Sequence, residues 1–304
     1  MAEFVLGSVQ LGLSYGAANK TGKPTRQAAL GLVRRAVDSG VHQFDTARAY
    51  GDAEERLGEA LEGRKAFTVT KLSPLTELPD DATRDQIIDA VDRSIEESLH
   101  ALRRQSLDCL LLHRCAHMTA FGGTIWHRLL EHKQEGRVQR LGVSVQTPEE
   151  IKRALDSPNV EHIQLPYNLL DWRWREAGLV NRFLRRRTLT VHARSVFLQG
   201  LLASEDPGVW PKIDGVDPAD VLLQIKSLAE MLGRESVADL CLAYVRGLEF
   251  IDGVVIGMET PEQLDLNLRL SVKRPLTPKE CWEVEQSVPR LPEQLLNPAQ
   301  WPKE

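Results

Sequence analysis

The sequence predicts an α/β fold, a TIM barrel of the (β/α)8 type forming a single domain, on three observations. Short apolar runs of strand character alternate with helix-periodic segments along the whole chain. Eight such strands fall within about 270 residues, which suits a closed parallel barrel better than an open doubly wound sheet. No low-complexity linker or shift in composition divides the 304 residues. One barrel domain over residues 1–304 is therefore expected, with 271–304 as a C-terminal tail.

The elements follow in order. The first strand is read at Phe4–Leu11, and a long turn region runs from Gly12 to Thr25. In Gln27–Ser39 the residues Ala29, Leu32, Val33, Ala36 and Val37 recur at helical spacing, and Gly40 stops that helix. Val41–Asp45 is the second strand, Ala53–Leu61 a helix and Phe67–Lys71 the third strand. Thr83 is a plausible N-cap for a long helix carrying Ile88, Val91, Ile95, Leu99 and Leu102 on one face. Strands at Leu107–Leu112, Val138–Val145, His162–Leu165, Thr188–Ala193 and Gly253–Ile256 complete the eight. Helices are expected at Thr124–Glu135, Pro148–Leu155, Leu179–Arg187, Pro218–Leu232, Ser236–Arg246, Pro261–Leu268 and Pro278–Gln286.

Composition excludes several classes of function. The chain is 42% hydrophobic and carries 38 basic against 43 acidic residues, a net charge of −5. There is thus no basic field for a nucleic-acid backbone, and no apolar run long enough to span a membrane. Four cysteines in a chain of this size do not make a disulfide framework. The N-terminus enters strand-like sequence with no signal-peptide core, so a cytoplasmic enzyme is the expectation. Gly16–Lys23 has some look of a phosphate loop, but five residues separate its glycines and Pro24 stands where a hydroxyl residue is needed. A turn is the simpler reading. Cys109, His113, Cys115 and His117 lie close together without completing a ligand set, so no metal is expected. The run Arg185-Arg186-Arg187 reads as a solvated helix end.

In a parallel barrel the C-terminal ends of the strands share one mouth, and sites are built there. Asp45, Tyr50, Lys71 and His113 come from the ends of successive strands. Together they make a device for moving a proton through a phenol. A free tyrosine titrates near pH 10, too high for an efficient acid at neutrality. A nearby ammonium, Lys71, favours the phenolate, and Asp45 keeps that ammonium charged despite burial. His113 can bind the same substrate oxygen, so that two donors address one carbonyl becoming an alkoxide.

These stretches resemble the aldo-keto reductase superfamily. The match runs through Asp45-Thr46-Ala47, Tyr50-Gly51, Glu55, Leu57-Gly58 and Thr70-Lys71. It continues through Leu107-Asp108, Leu110 to His113, Leu141 to Ser144, Gln164, Tyr167-Asn168 and Gly200 to Leu202, in unbroken order from about residue 4 to residue 270. The resemblance implies an NAD(P)(H)-dependent oxidoreductase that passes a hydride between nicotinamide C4 and a small-molecule carbonyl, alcohol or sugar. It implies Tyr50 as general acid or base, Lys71 and Asp45 as the residues that tune it, and His113 as the group that orients the carbonyl. Ser144 and Gln164 match the positions that hold the carboxamide. Arg194 occupies a position where many members stack an aromatic ring on the nicotinamide; it either stacks there or pairs with a nearby carboxylate. Ser195 and Phe197 follow it along the dinucleotide.

Two further features bear on ligands. Val145 stands where a second carboxamide-binding side chain is usual. At the adenosine end, Gly257, Glu259, Gln263 and Asn267 stand in the segment where members that prefer the 2′-phosphorylated cofactor carry Lys or Arg. A carboxylate there repels a 2′-phosphate and can accept from a free 2′-hydroxyl, so NAD(H) is favoured over NADP(H). The pocket is expected to be closed by the loops after the strands and by the C-terminal tail. Trp172, Trp174, Trp210 and Trp301 either line it, as sugar-binding aromatics would, or serve in the core and at interfaces. Two other functions remain compatible with this barrel: a cofactor-binding regulatory subunit, and a lyase or isomerase using transient redox on an activated sugar.

Overall fold

Eight parallel strands pair in sequence order around a closed ring, the last returning to the first in the computed structural model, which describes residues 2–186 and 188–302. The strands are β1 (Glu3–Gly7), β2 (Gln43–Asp45), β3 (Phe67–Lys71), β4 (Cys109–Leu112), β5 (Leu141–Ser144), β6 (His162–Pro166), β7 (Thr190–Arg194) and β8 (Gly253–Gly257). Closure runs through five register pairs, from Glu3 against Gly253 to Gly7 against Gly257. Every connection between successive strands contains helix, which is why the strands read as short apolar runs: both of their faces are covered.

Local signals set most of the helix boundaries. The Thr25 side chain accepts from Ala28 N ahead of Arg26–Asp38, and Thr83 with Gln86 forms a capping box ahead of Arg84–Ala101. Thr147, Asp217, Ser236, Thr260 and Thr277 cap later helices in the same way. The first strand is shorter than the sequence suggests. Chain pairing stops at Gly7, and Val9–Gly12 coils into one helical turn instead of extending to Leu11. The segment after β6 contains a short helix, Trp172–Glu176, that the sequence did not announce. Arg186 turns its guanidinium onto the carbonyls of Leu155, Pro158 and Val160, so this member of the basic run is a structural clamp; Arg187 lies outside the described residues.

Two apolar clusters hold the molecule. The larger fills the layer between barrel and helices, and the smaller is a plug inside the barrel made by Val69, Cys109 and Leu111 with Phe67 against them. Gly142 makes room for that plug: a Cβ on it would stand 2.7 Å from Leu111 Cδ2 and 2.1 Å from the His162 carbonyl oxygen. The barrel also encloses two histidines, His162 and His192, with ring centroids 4.2 Å apart and nearly perpendicular. His162 Nδ1 lies 3.5 Å from Cys109 Sγ, while His162 Nε2 and His192 Nδ1 have no partner among the described residues.

Burial, with the charges of Lys71 and Arg140, pushes His192 down to about 3, and burial with His192 itself holds His162 well below the ordinary range. Both rings are therefore neutral in the fold, whereas in the unfolded chain they take up protons near pH 6.5. The sign follows: stability is full above about pH 6.5 and is lost as pH falls below it. Denaturant unfolding at pH 7.5 and pH 5 should differ by about 2 kcal/mol for each of the two histidines. The double replacement His162→Leu with His192→Leu should flatten that slope; an unchanged slope would place the acid sensitivity elsewhere.

Candidate active site

Because all eight strands run the same way, Gly7, Asp45, Lys71, His113, Ser144, Pro166, Arg194 and Gly257 stand at or just beyond the same rim. The turn after β2 carries the reactive phenol. Thr46 N donates to the Val69 carbonyl and Arg48 N to the Lys71 carbonyl, so the turn is stitched to β3 before it reaches Tyr50. Below it, Thr70 Oγ1 donates to Glu54 Oε1 at 2.6 Å, and Arg48 forms an ion pair with the same buried carboxylate. On the other side the helical turn Val9–Gly12 presses on Tyr50. A Cβ on Gly12 would fall 1.8 Å from the Tyr50 carbonyl oxygen, and Gly51 has φ +58 with the Gly12 oxygen 2.5 Å from its Cβ position. Only glycines permit this approach.

Lys71 is 1% exposed and fully satisfied. Its Nζ donates to Asp45 Oδ1 and Oδ2, each at 2.8 Å, and to the Thr46 carbonyl at 2.9 Å. An ammonium has three donors and these contacts use all of them. Lys71 therefore reaches Tyr50 through its field, with Nζ 5.1 Å from the ring centroid. Burial works against its charge, but Asp45 and Tyr50 outweigh burial and hold its pKa above the ordinary value. Gln164, expected on the cleft wall as a carboxamide contact, stands behind it: fully buried, its Nε2 donates to Asp45 Oδ2 at 2.6 Å and its Oε1 has no partner among the described residues.

The His113 ring meets the Tyr50 ring edge to face, with centroids 5.9 Å apart. Burial pushes His113 down to about 3, helped by the positive charges of Lys71 and Arg194. It is a neutral imidazole whose Nδ1 has no partner among the described residues.

Asp45, Tyr50 and His113 open into a cleft of about 650 Å³, the size of an ordinary small-molecule site. Ser144, Arg194, Ser195 and Phe197 line its middle, and Gly257, Glu259, Gln263 and Asn267 line the wall made by β8 and the following helix, Pro261–Ser271. A strap crosses this cleft. Ser195, Leu198 and Gln199 have φ of +60, +45 and +55, strained values for side-chain-bearing residues, and the strap continues to Asp206. It meets the loop after β1, where Ala18 N donates to the Gln199 carbonyl and Lys20 pairs with Asp206 at 3.2 Å. The Gly16–Lys23 segment is a turn whose next helix starts only at Arg26, and its Gly16, Asn19 and Lys20 line the cleft.

Several cleft residues escaped the sequence reading. Gln146 lines the wall one residue beyond Val145, where a polar side chain had seemed to be missing. Gln10 lines it from the helical turn after β1, with Oε1 unpartnered, and Tyr15 faces it from the next loop. Other expectations are corrected. No residue of the described tail lines the cleft; the tail packs on the segment after β6. Trp172 Nε1 donates to the Leu291 carbonyl, with Arg290 stacked 3.7 Å from its ring, and Trp301 Nε1 donates to the Leu295 carbonyl. Trp174 donates to Asp171, and Trp210 is buried away from the cleft. Of the two roles open to these four tryptophans, the structure shows the structural one: none of them lines the cleft.

Comparison with known proteins agrees with the fold. The sequence model of the Aldo/keto reductase family matches residues 3–288. The chain is 24% identical to the uncharacterized oxidoreductase YqkF of Bacillus subtilis, over 84% of this chain and 86% of that protein. It is 24% identical to L-glyceraldehyde 3-phosphate reductase of Escherichia coli K12, over 93% and 89% of the two chains. In three dimensions it resembles the holo form of aldo-keto reductase AKR11C1 from Bacillus halodurans, with TM-score 0.74, 23% identity and coverage of 97% and 95%. It also resembles glycerol dehydrogenase AKR11B4 from Gluconobacter oxydans, with TM-score 0.69, 22% identity and coverage of 93% and 90%.

A neutral His113 has a kinetic consequence. Between about pH 5 and pH 8, where an ordinary imidazole changes charge, carbonyl reduction should show no inflection that depends on it. An inflection near pH 6.5 that disappears in His113→Gln would contradict the neutral assignment.

Proposed function

Since the chain belongs to the aldo/keto reductase family, oxidoreductases that act on small-molecule carbonyl or sugar-like substrates with NAD(P)(H), we propose that it reduces an aldehyde, ketone or sugar carbonyl, or oxidises the matching alcohol, with Tyr50 as general acid or base. The observation that carries this reading is the placement of Tyr50, with a buried Lys71–Asp45 pair 5.1 Å from its ring centroid and a neutral His113 at its edge.

The nicotinamide supplies or accepts the hydride; the protein's own residues position the carbonyl and handle the proton. In reduction the carbonyl oxygen gains negative charge as its carbon accepts the hydride. His113 donates a hydrogen bond to that oxygen and Tyr50 Oη gives it a proton, so the alcohol leaves neutral. The negative charge left on Tyr50 is balanced by the field of Lys71, whose own charge is secured by the two Asp45 oxygens. In oxidation the same atoms run in reverse, with Tyr50 Oη taking the hydroxyl proton.

The dinucleotide fits the cleft on three grounds. The cavity has the volume of a small-molecule site and continues from the reacting groups to the β8 end. An acceptor on the wall, Gln10 Oε1, has no partner among the described residues and would suit an amide donor. The strained strap joins the opposite loop over the cleft, as a cover on an extended ligand would. Ser144 and Gln146 on the wall are the candidates for the carboxamide, with Gln164 holding Asp45 behind them, and Ser195 and Phe197 are the candidates for the stretch that follows. Gly257, Glu259, Gln263 and Asn267 are the candidates for the adenosine end. Of these, Gln263 Oε1 already accepts from Glu259 N at 2.7 Å, which holds the Glu259 segment in place. With no Lys or Arg among these four and a carboxylate among them, NAD(H) is the preferred cofactor.

Two measurements test this. Tyr50→Phe should lower kcat by about 10²-fold or more while leaving the cofactor Kd near the parent value; near-normal kcat would remove the acid–base assignment. Separately, kcat/KM should be higher with NADH than with NADPH, and a preference of about tenfold for NADPH would overturn the reading of the Glu259 wall.

A further inference from the structure

Among the described residues, the carboxylates and basic side chains that line the cleft are Asp45, Arg194, Lys20 and Glu259. Asp45 is neutralised by Lys71 at 2.8 Å and Lys20 by Asp206 at 3.2 Å, while Glu259 belongs to the β8 wall. Arg194 is different. It stands at the end of β7 and is half-buried, and among the described residues it forms no ion pair. The alternative that it is spoken for by a neighbouring carboxylate is thereby removed.

Its two hydrogen bonds are long and neutral: Nη1 donates to Ser195 Oγ and Nη2 to the Val145 carbonyl, each at 3.3 Å. A guanidinium has five donors in a planar fork, so donors remain for a ligand. The reacting end has no other net charge. Lys71 and Asp45 cancel, and His113 is neutral. Arg194 lies close enough for its charge to bear on both Lys71 and His113. Holding a cation partly out of water without a counter-ion is costly, and a fork of this geometry is matched by a carboxylate or a phosphate.

We propose that Arg194 is the receptor for an anionic group, a carboxylate or a phosphate, carried by the carbonyl substrate on the same molecule as the reacting carbon. The substrate class is accordingly acidic: oxo acids or phosphorylated aldehydes and sugars in place of neutral ones. This rests on the oxidoreductase reading above and narrows it. The competing roles are contacts with the dinucleotide, either stacking of the guanidinium plane on the nicotinamide or pairing with the diphosphate, and both are separable from a substrate contact by the cofactor Kd.

The test uses matched substrates with NADH: succinic semialdehyde against butyraldehyde for a carboxylate, and glyceraldehyde 3-phosphate against glyceraldehyde for a phosphate. The parent enzyme should favour one charged member over its neutral partner in kcat/KM by about tenfold or more, the range of a charge-assisted contact. Arg194→Ala should collapse that ratio towards one, and Arg194→Lys should restore part of it. The cofactor Kd, read by NADH fluorescence, is the second arm. A parent enzyme with no preference in either pair overturns the proposal. So does an Arg194→Ala enzyme that loses activity on all four substrates in proportion and binds NADH more weakly, since that assigns the residue to the cofactor.

A third arm separates this proposal from the functional reading it rests on. Glycerol 3-phosphate is titrated calorimetrically into the NADH-saturated enzyme, and succinate in a second titration. Binding of either that is lost in Arg194→Ala supports the anion receptor even if no carbonyl is turned over, an outcome that would count against the proposed reaction alone. Absence of binding by both overturns the receptor.

Discussion

A lysine ammonium taken almost wholly out of water is the constraint around which this molecule is arranged. Burying such a charge alone would be prohibitive, so the fold must deliver compensation from several directions at once. Asp45 arrives from the end of β2 and gives both oxygens, the Thr46 carbonyl gives a third acceptor, and Gln164 arrives from β6 to steady Asp45 from behind. Asp45 and Thr46 are consecutive residues beside β3, while Gln164 comes from across the ring, and the closed set of parallel strands brings it to them. Barrel closure and site chemistry are the same requirement seen at two scales.

The consequences spread outward from that pair. With every Nζ donor committed, Lys71 has none left to give Tyr50 and influences it only by charge. The turn that carries Tyr50 must then be held to a fixed distance, and it is gripped between the Arg48–Glu54–Thr70 cluster and the Gly12–Gly51 contact. The same positive charge helps to keep His113 neutral, which suits it to hydrogen bonding and not to proton storage. One buried cation thus assigns roles to both of its neighbours. The second cation of the site, Arg194, forms no ion pair among the described residues, and its hydrogen bonds go to Ser195 Oγ and the Val145 carbonyl.

The parts of this arrangement that the sequence made legible are those governed by local periodicity. Short apolar strands, capped helices and polar strand ends gave the barrel and brought out Asp45, Tyr50, Lys71 and His113, because a parallel barrel turns strand order into rim position. Gln10 was hidden because an unbroken strand-like run conceals the point where pairing stops; the chain coils after Gly7, and that coil is what aims Gln10 at the cleft. Gln146 was hidden by a one-residue offset from the position first inspected. The tail docks away from the mouth it was expected to close, and the role of the tryptophans stayed open, because nothing local distinguishes a segment that covers a mouth from one that docks on an outer helix. That choice is made by long-range contacts such as Trp172 with Leu291 and Arg173 with Asp171 and Leu296.

If the Lys71–Asp45 pair governs the chemistry, removing the charge of Asp45 while keeping its shape must strike the chemical step and spare cofactor binding. The direct measurement is the single-turnover rate of hydride transfer in Asp45→Asn, followed at the nicotinamide absorbance with cofactor saturating. The account predicts a fall of about 10²-fold or more in that rate, with the cofactor Kd close to the parent value. A hydride-transfer rate within a few-fold of the parent would contradict it.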